Sequence, residues 1–435
     1  MASASQPNAG SQGCWWWLLK DLPEKTKNKV VNVAGKANKL GRDEPRRIIH
    51  CLKVGLALTV VSLLYYVHPL YKFFHESGVW AVLTVLLVLE FTVGGTLGRG
   101  LNRTFATLLG GALGVGAQHL AALSGEIGQP IVLGLCVMVL TAAVTFLRFF
   151  PEVKARYDYG LIILMLTFSM VSVSGYRDED VLTIAYERLL TIIVGCVIAL
   201  LVSILICPVW VGEDLQRLIA ANLEKLGSFL EGFSGAYCRI SGDAQITIDQ
   251  SFLQGYKSVL TSKHTEETMV NLARWEPGHG RFLFRHPWKQ YLKVGTLARQ
   301  CSYKIEILSG HLASEIEAAQ EIRGEIQESC REMTRESGKA LKELAATIRT
   351  MTRSTSMDFH IENSKGAAKN LMSLLETGVL EDGTTLLEII PAVAVASTVM
   401  DIVTCTERIS DAVKELASLA HFKSTISPVV TPEEP

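Results

Sequence analysis

From Ile48 to about Val209 the chain alternates long apolar runs with short polar breaks, and after Gly212 a three-and-four spacing of apolar residues takes over. A hydrocarbon core about 30 Å thick takes roughly 20 apolar residues per helical crossing. That rule predicts six spans, over 51–67, 79–97, 101–123, 131–150, 160–174 and 184–206. The first and fifth are short, so their flanks must tilt or snorkel. Downstream, Leu215, Leu218, Ile219, Leu226, Phe229, Leu230 and Phe233 repeat at helical spacing, and similar patterns recur over 290–312, 315–350, 364–377 and 386–419. Alternating strand patterns are almost absent. The expected fold is an all-α membrane protein, six transmembrane helices followed by a cytosolic helical bundle: a basic tail over 1–47, a membrane domain over 48–210 and a helical domain over 211–435.

Charge orients this arrangement. Lys20, Lys25, Lys27, Lys29, Lys36, Lys39, Arg42, Arg46 and Arg47 fill the tail, Arg99 and Arg103 follow the second predicted span, and Arg148, Lys154 and Arg156 follow the fourth. The opposite side keeps Lys72, Arg177 and, at a helix start, Arg188. An excess of cations marks cytosolic loops, so both termini are expected in the cytosol and the Asn102-Arg103-Thr104 sequon is expected to stay unglycosylated. No signal peptide is expected, because the opening MASASQPNAG is polar. The nine cysteines show no CxxC spacing, which suits reduced structural thiols. Trp15, Trp16 and Trp17 could anchor at headgroup level, beside Cys14 as a lipidation candidate.

Candidate chemistry is defined first by exclusion. The chain has no glycine-rich phosphate loop, no HExxH, no nucleophile elbow and no histidine cluster, so catalysis, cofactors and nucleic-acid binding are not expected. What remains is a set of cations at or inside the membrane boundary: Lys53 early in the first span, Arg103 at the start of the third and Arg188 inside the sixth, with Arg46 and Arg47 on the cytosolic approach and Arg177 in an outer loop. A charge at mid-span costs about 2.5–3.5 kcal/mol on insertion scales, so each needs a use or a partner. Rings of Arg and Lys can replace the hydration shell of an anion, and snorkelling to headgroups is the plainer alternative. Glu90 sits in the middle of the apolar run WAVLTVLLVLEFTVGGTLGRGLNR, residues 80–103. A carboxylate there would repel an anion, so it is expected to pair with a cation, fixing geometry or gating a path. Asp178, Glu179 and Asp180 either form an external cation site or cap the sixth helix.

Four stretches in order, DEPRRIIHCLKVGLAL at 43–58, the run at 80–103, YDYGLIILMLTFSMVSVSGYR at 157–177 and RWEPGHGRFLFRHPWKQYLKVG at 274–295, resemble the plant aluminium-activated malate transporter family. The second-span motif is also similar to aromatic acid exporters of the fusaric acid resistance type. The first resemblance implies a dimeric anion channel for malate and inorganic anions such as chloride and nitrate, with six spans and a cytosolic helical domain. It implies a conduction path lined by Arg46, Arg47, Lys53, Arg103, Arg177 and Arg188, in the plasma membrane or alternatively the vacuolar membrane. Trp275-Glu276-Pro277 is the family's hallmark in the soluble part. Its proline and glycines mark a turn, read as a joint that couples that domain to the membrane part. A proton-coupled organic-acid exporter and a membrane-tethered signalling scaffold are the alternative functions.

Overall fold

A computed structural model describes residues 24–67, 78–174, 181–239, 254–283, 285–314, 320–354, 356–378 and 386–424. Its helices are α1 Glu24–Asp43, α2 Pro45–Tyr66, α3 Gly78–Val88, α4 Val93–Ala122, α5 Gly125–Leu147, α6 Pro151–Ser174 and α7 Val181–Leu205. They continue with α8 Val211–Arg239, α9 Lys257–Leu260, α10 Lys263–Ala273, α11 Trp288–Ser314, α12 Gln320–Thr350, α13 Ser356–Gly378 and α14 Leu386–Leu419. A two-residue parallel pair, β1 Thr352–Arg353 with β2 Lys423–Ser424, is the sheet among the described residues. Contacts divide the chain into two compact units, one built on α2, α3 and α7, the other on α4 to α6 together with everything from α8 onward.

The membrane helices are inside-out relative to a soluble fold. On α2, Lys53 is 2% exposed and Leu52 69%. On α4, Arg103 is 1% exposed and Phe105 67%. On α7, Arg188, Thr191 and Ser203 are buried while Val197, Leu201 and Leu205 face out. Water would drive the opposite sorting, since each buried leucine side chain gains about 2 kcal/mol by leaving it. A hydrocarbon surround removes that gain and penalises only the polar groups. Four helices, Val93–Ala122, Gly125–Leu147, Pro151–Ser174 and Ala185–Leu205, are each long and apolar enough to cross a membrane, and Gly78–Val88 is a shorter apolar helix.

Two features depart from the sequence reading. The run over 80–103 is not one span with Glu90 inside it: α3 stops at Val88, residues 89–92 are non-helical, and Glu90 lies in that break. Thr92 supplies the cause, because its hydroxyl caps α4 by accepting from Gly95 N at 3.2 Å. The loop expected around Arg99 and Arg103 is absent, because α4 runs through both as one 30-residue helix. Asn102 of the sequon is likewise helical, and its Nδ2 donates to Arg156 O at 3.2 Å. The polar stretch TRSTSMDFHIENSK, residues 352–365, reads from its composition as a loop between two helices but is mostly α13, which begins at Ser356.

In the second unit, Leu215, Ile219, Leu223, Leu226, Phe229, Leu230 and Phe233 of α8 are buried against α10, α11 and α12, in a core that continues into α14. Leu218 is only partly buried. Close approach of α4 to α6 depends on glycine: a Cβ on Gly110 would lie 2.9 Å from Leu164 O, and one on Gly114 2.8 Å from Val171 Cγ1. Gly116 has nothing within 4 Å. Gly110→Ala is therefore expected to destabilise by about 1–3 kcal/mol, since backbone must move. Gly116→Ala is expected to be neutral or to stabilise by about 0.5–1 kcal/mol. Thermal unfolding of the purified chain in detergent checks the contrast, and equal effects at the two positions would contradict it.

Candidate functional site

In the first unit two predicted cations are buried with different partners. Lys53 Nζ donates to Cys207 O at 3.0 Å and Ser203 O at 3.4 Å, the carbonyls left open where α7 ends. Cys207 turns the chain there at φ 42°. An ammonium at a helix C-terminus meets both unpaired acceptors and the negative end of the dipole. Arg188 stacks its guanidinium on Trp80, 4.0 Å from the ring centroid. Trp80 was not among the expected site residues, and no local spacing rule links it to a helix so far along the chain. Glu90 is half-buried and lies within electrostatic reach of His50, which Lys53 also influences. His50 in turn meets Phe91 edge-on at 5.5 Å. Arg46 and Arg47 are exposed, and Arg47 pairs with Glu44, the residue just before α2, a contact of little energetic weight.

In the second unit Arg103 projects from α4 and donates from Nη1 to the Tyr159 hydroxyl on α6 at 3.1 Å. Arg99, one turn earlier, lies 5.8 Å from the centre of the same ring. Asp158, next to Tyr159, is paired with Arg148 at 2.6 Å. Cations outnumber carboxylates at this end of the three helices.

The Trp275-Glu276-Pro277 segment is a joint within the same unit. Glu276 is buried, and its two carboxylate oxygens accept from Val211 N at 2.5 Å and Gly212 N at 3.0 Å, the first amides of α8. A side chain distant in sequence thus caps the helix that opens the bundle. Trp275 and Glu276 also abut α4: a Cβ on Gly98 would sit 3.0 Å from the Trp275 ring, and one on Gly94 would meet Glu276 Cγ at 2.9 Å. Val93 N donates to Val209 O at 3.1 Å, so the start of α4, the approach to α8 and the joint form one cluster. His279, held by a 2.9 Å contact of Nδ1 with Pro277 O, stacks on Trp210 with centroids 3.8 Å apart. The expected turn is present, and Gly94 and Gly98 of α4 leave room for Glu276 and the Trp275 indole.

Arg177, Asp178, Glu179 and Asp180 lie outside the described residues, as do Cys14 and Trp15 to Trp17. Among the described residues no group of three or more His, Cys, Asp or Glu could hold a metal.

Burial pushes the Glu276 carboxyl up to about 7, with Asp214 and Glu213 adding to it, although the two amide donors pull the other way. A carboxyl raised on folding binds its proton more tightly in the folded state, so stability falls as pH rises from about 4.5 through 7. The loss is on the order of 3 kcal/mol. Glu276→Gln, which cannot ionise, is expected to flatten the pH dependence of unfolding over that window. An unchanged pH profile would assign the dependence elsewhere.

The sequence profile of the family described as aluminium activated malate transporter matches residues 38–382. Aluminum-activated malate transporter 2 of Arabidopsis thaliana is 47% identical over 403 residues, 92% of this chain and 80% of its own length. Aluminum-activated malate transporter 1 of the same plant is 45% identical over 93% of this chain and 83% of its own. Aluminum-activated malate transporter 1 of Triticum aestivum is 42% identical over 94% and 90%. These relatives are transporters rather than enzymes, and the match runs through the membrane helices and the joint into the bundle: this chain belongs to the aluminium-activated malate transporter family.

Proposed function

We propose that the protein is a passive channel for malate and for small inorganic anions, chloride and nitrate among them, with positive charge along its path from Arg46, Arg47, Lys53, Arg103, Arg177 and Arg188. The observation that carries this reading is the burial of Lys53, Arg103 and Arg188 behind helices whose outer faces are apolar. Cations sorted inward, away from lipid, can offer an anion a substitute for water. The family's transporters supply the substrate class. Six crossings by α2 to α7, both termini in the cytosol, a cytosolic domain from residue 211, a homodimer and a plasma-membrane location complete the proposal. In it the joint around Glu276 transmits movement of the bundle to α4, and Asp178 to Asp180 remain candidates for an external cation.

Arg188 separates the substrates. A dianion gains more than chloride from a fixed guanidinium, since Coulomb attraction scales with charge and burial reduces screening. Arg188→Ala is expected to lower malate current about tenfold more than chloride current at equal surface expression, a difference of roughly 1.4 kcal/mol. Arg188→Lys is expected to restore part of it by keeping the charge while losing the planar stack on Trp80. Exposed Arg217→Ala serves as a control that changes neither current. A surface-expressed Arg188→Ala protein with the wild-type current ratio would make Arg188 a structural partner of Trp80 and remove it from the path.

A further inference from the structure

Helix α1 draws little support from the rest of the chain. Each described residue from Asn28 to Leu40 is exposed. Its sequence is a weak helix former, with glycines at 35 and 41, asparagines at 28, 32 and 38 and valines at 30, 31 and 33. A helix of 20 residues with that composition is marginal in water unless one face is packed. Its two sides differ in character. Val33, Ala37 and Leu40 recur at helical spacing and form an exposed apolar stripe. Lys29 and Lys36 border the stripe, and Lys39 and Arg42 lie further round the helix.

The direction of the stripe is set by α2. The two helices are joined through Glu44 alone, with Pro45 starting α2 and Glu44 N still bonded to Leu40 O at 3.1 Å. Across this bend Gly41 packs on Ile48, where a Cβ on the glycine would lie 2.7 Å from Ile48 Cδ1. Gly41 sits at the edge of the stripe, one turn beyond Ala37. Ile48 in turn opens the exposed row Ile48, Leu52, Leu56, Val60 and Leu63 on α2. The apolar face of α1 thus runs on into the outward apolar face of α2.

A partner for this face must be apolar beneath and anionic at its surface. Val33, Ala37 and Leu40 offer too little area to hold a helix by apolar burial alone, so the cations beside them must contribute. A leaflet containing anionic phospholipid supplies acyl chains for the stripe and phosphates for the ammonium groups along its border.

We propose that α1 is an in-plane anchor that docks on an anionic phospholipid leaflet, with its stripe toward the acyl chains and Lys29 and Lys36 at phosphate level. Lys39 and Arg42 add to the attraction, and the short connection to α2 supplies the local concentration that so narrow a face needs. The inference rests on the reading that α2 crosses the bilayer and is independent of what the protein conducts.

The test is hydrogen-deuterium exchange, read by mass spectrometry, on the full chain in lipid nanodiscs of phosphatidylcholine alone or with about one third phosphatidylserine. Amides over 28–42 are expected to exchange about tenfold more slowly in the anionic discs. Salt at about 1 M, where the Debye length is about 3 Å, is expected to remove most of that difference. Leu40→Asp, at an exposed position, is expected to abolish the protection of α1 while α2 stays protected. Lys36→Glu leaves the stripe intact and is expected to weaken the preference for anionic discs. Equal exchange over 28–42 in the two kinds of disc, or wild-type protection in Leu40→Asp, overturns the proposal. Protection that appears only when calcium-loaded calmodulin is added also overturns it, because the face then belongs to a protein. In each of those outcomes α2 remains protected, whereas rapid exchange through α2 itself would sink the crossing on which the inference rests.

Discussion

The structure depends on where three cations can be buried. Lys53, Arg103 and Arg188 point inward from helices whose outer faces are leucine, valine and phenylalanine, and each is accommodated by a different chemistry. Lys53 meets the open carbonyls at the end of α7, Arg103 meets a tyrosine hydroxyl, and Arg188 meets the face of an indole. None of those described contacts neutralises a full positive charge with a full negative one. A soluble protein would instead turn these side chains to water. In a bilayer the same side chains turn away from lipid and keep their positive charge among the packed helices.

The helix break at 89–92 and the joint around Glu276 follow from the same constraint on backbone groups. Wherever a helix starts inside a packed structure its first amides need acceptors. Thr92 serves α4 locally, whereas α8 takes a carboxylate from far along the chain. Glu276 and Trp275 also pack against Gly94 and Gly98 of α4, so the cap of the bundle helix and the first turns of a membrane helix share the same two side chains.

Much of this was legible in the sequence. The bundle helices were visible because a 3.6-residue period survives over long stretches, and α14 spans the predicted 386–419. The inward cations were also visible, as charges that hydropathy could not explain. The interruption at Glu90 was missed because a hydropathy average sees VLEFTVGG as one apolar run, although Thr92 before two glycines is a helix-start signal. Trp80 beneath Arg188 and Glu276 on the amides of α8 could not be read at all. Both pairs join residues distant in the chain, and no spacing rule reaches that far. The unpaired hydroxyls of Thr107, Thr167 and Ser172 became visible only once α4 and α6 were placed side by side.

The central claim, passive conduction of anions, is tested most directly by reversal potential in a planar bilayer containing the purified chain. Under a malate gradient at equal pH, the current should reverse near the malate equilibrium potential, and a pH gradient imposed at equal malate should leave it at zero. A reversal potential that follows the proton gradient, or malate movement with no current at all, would contradict the account and identify coupled export instead.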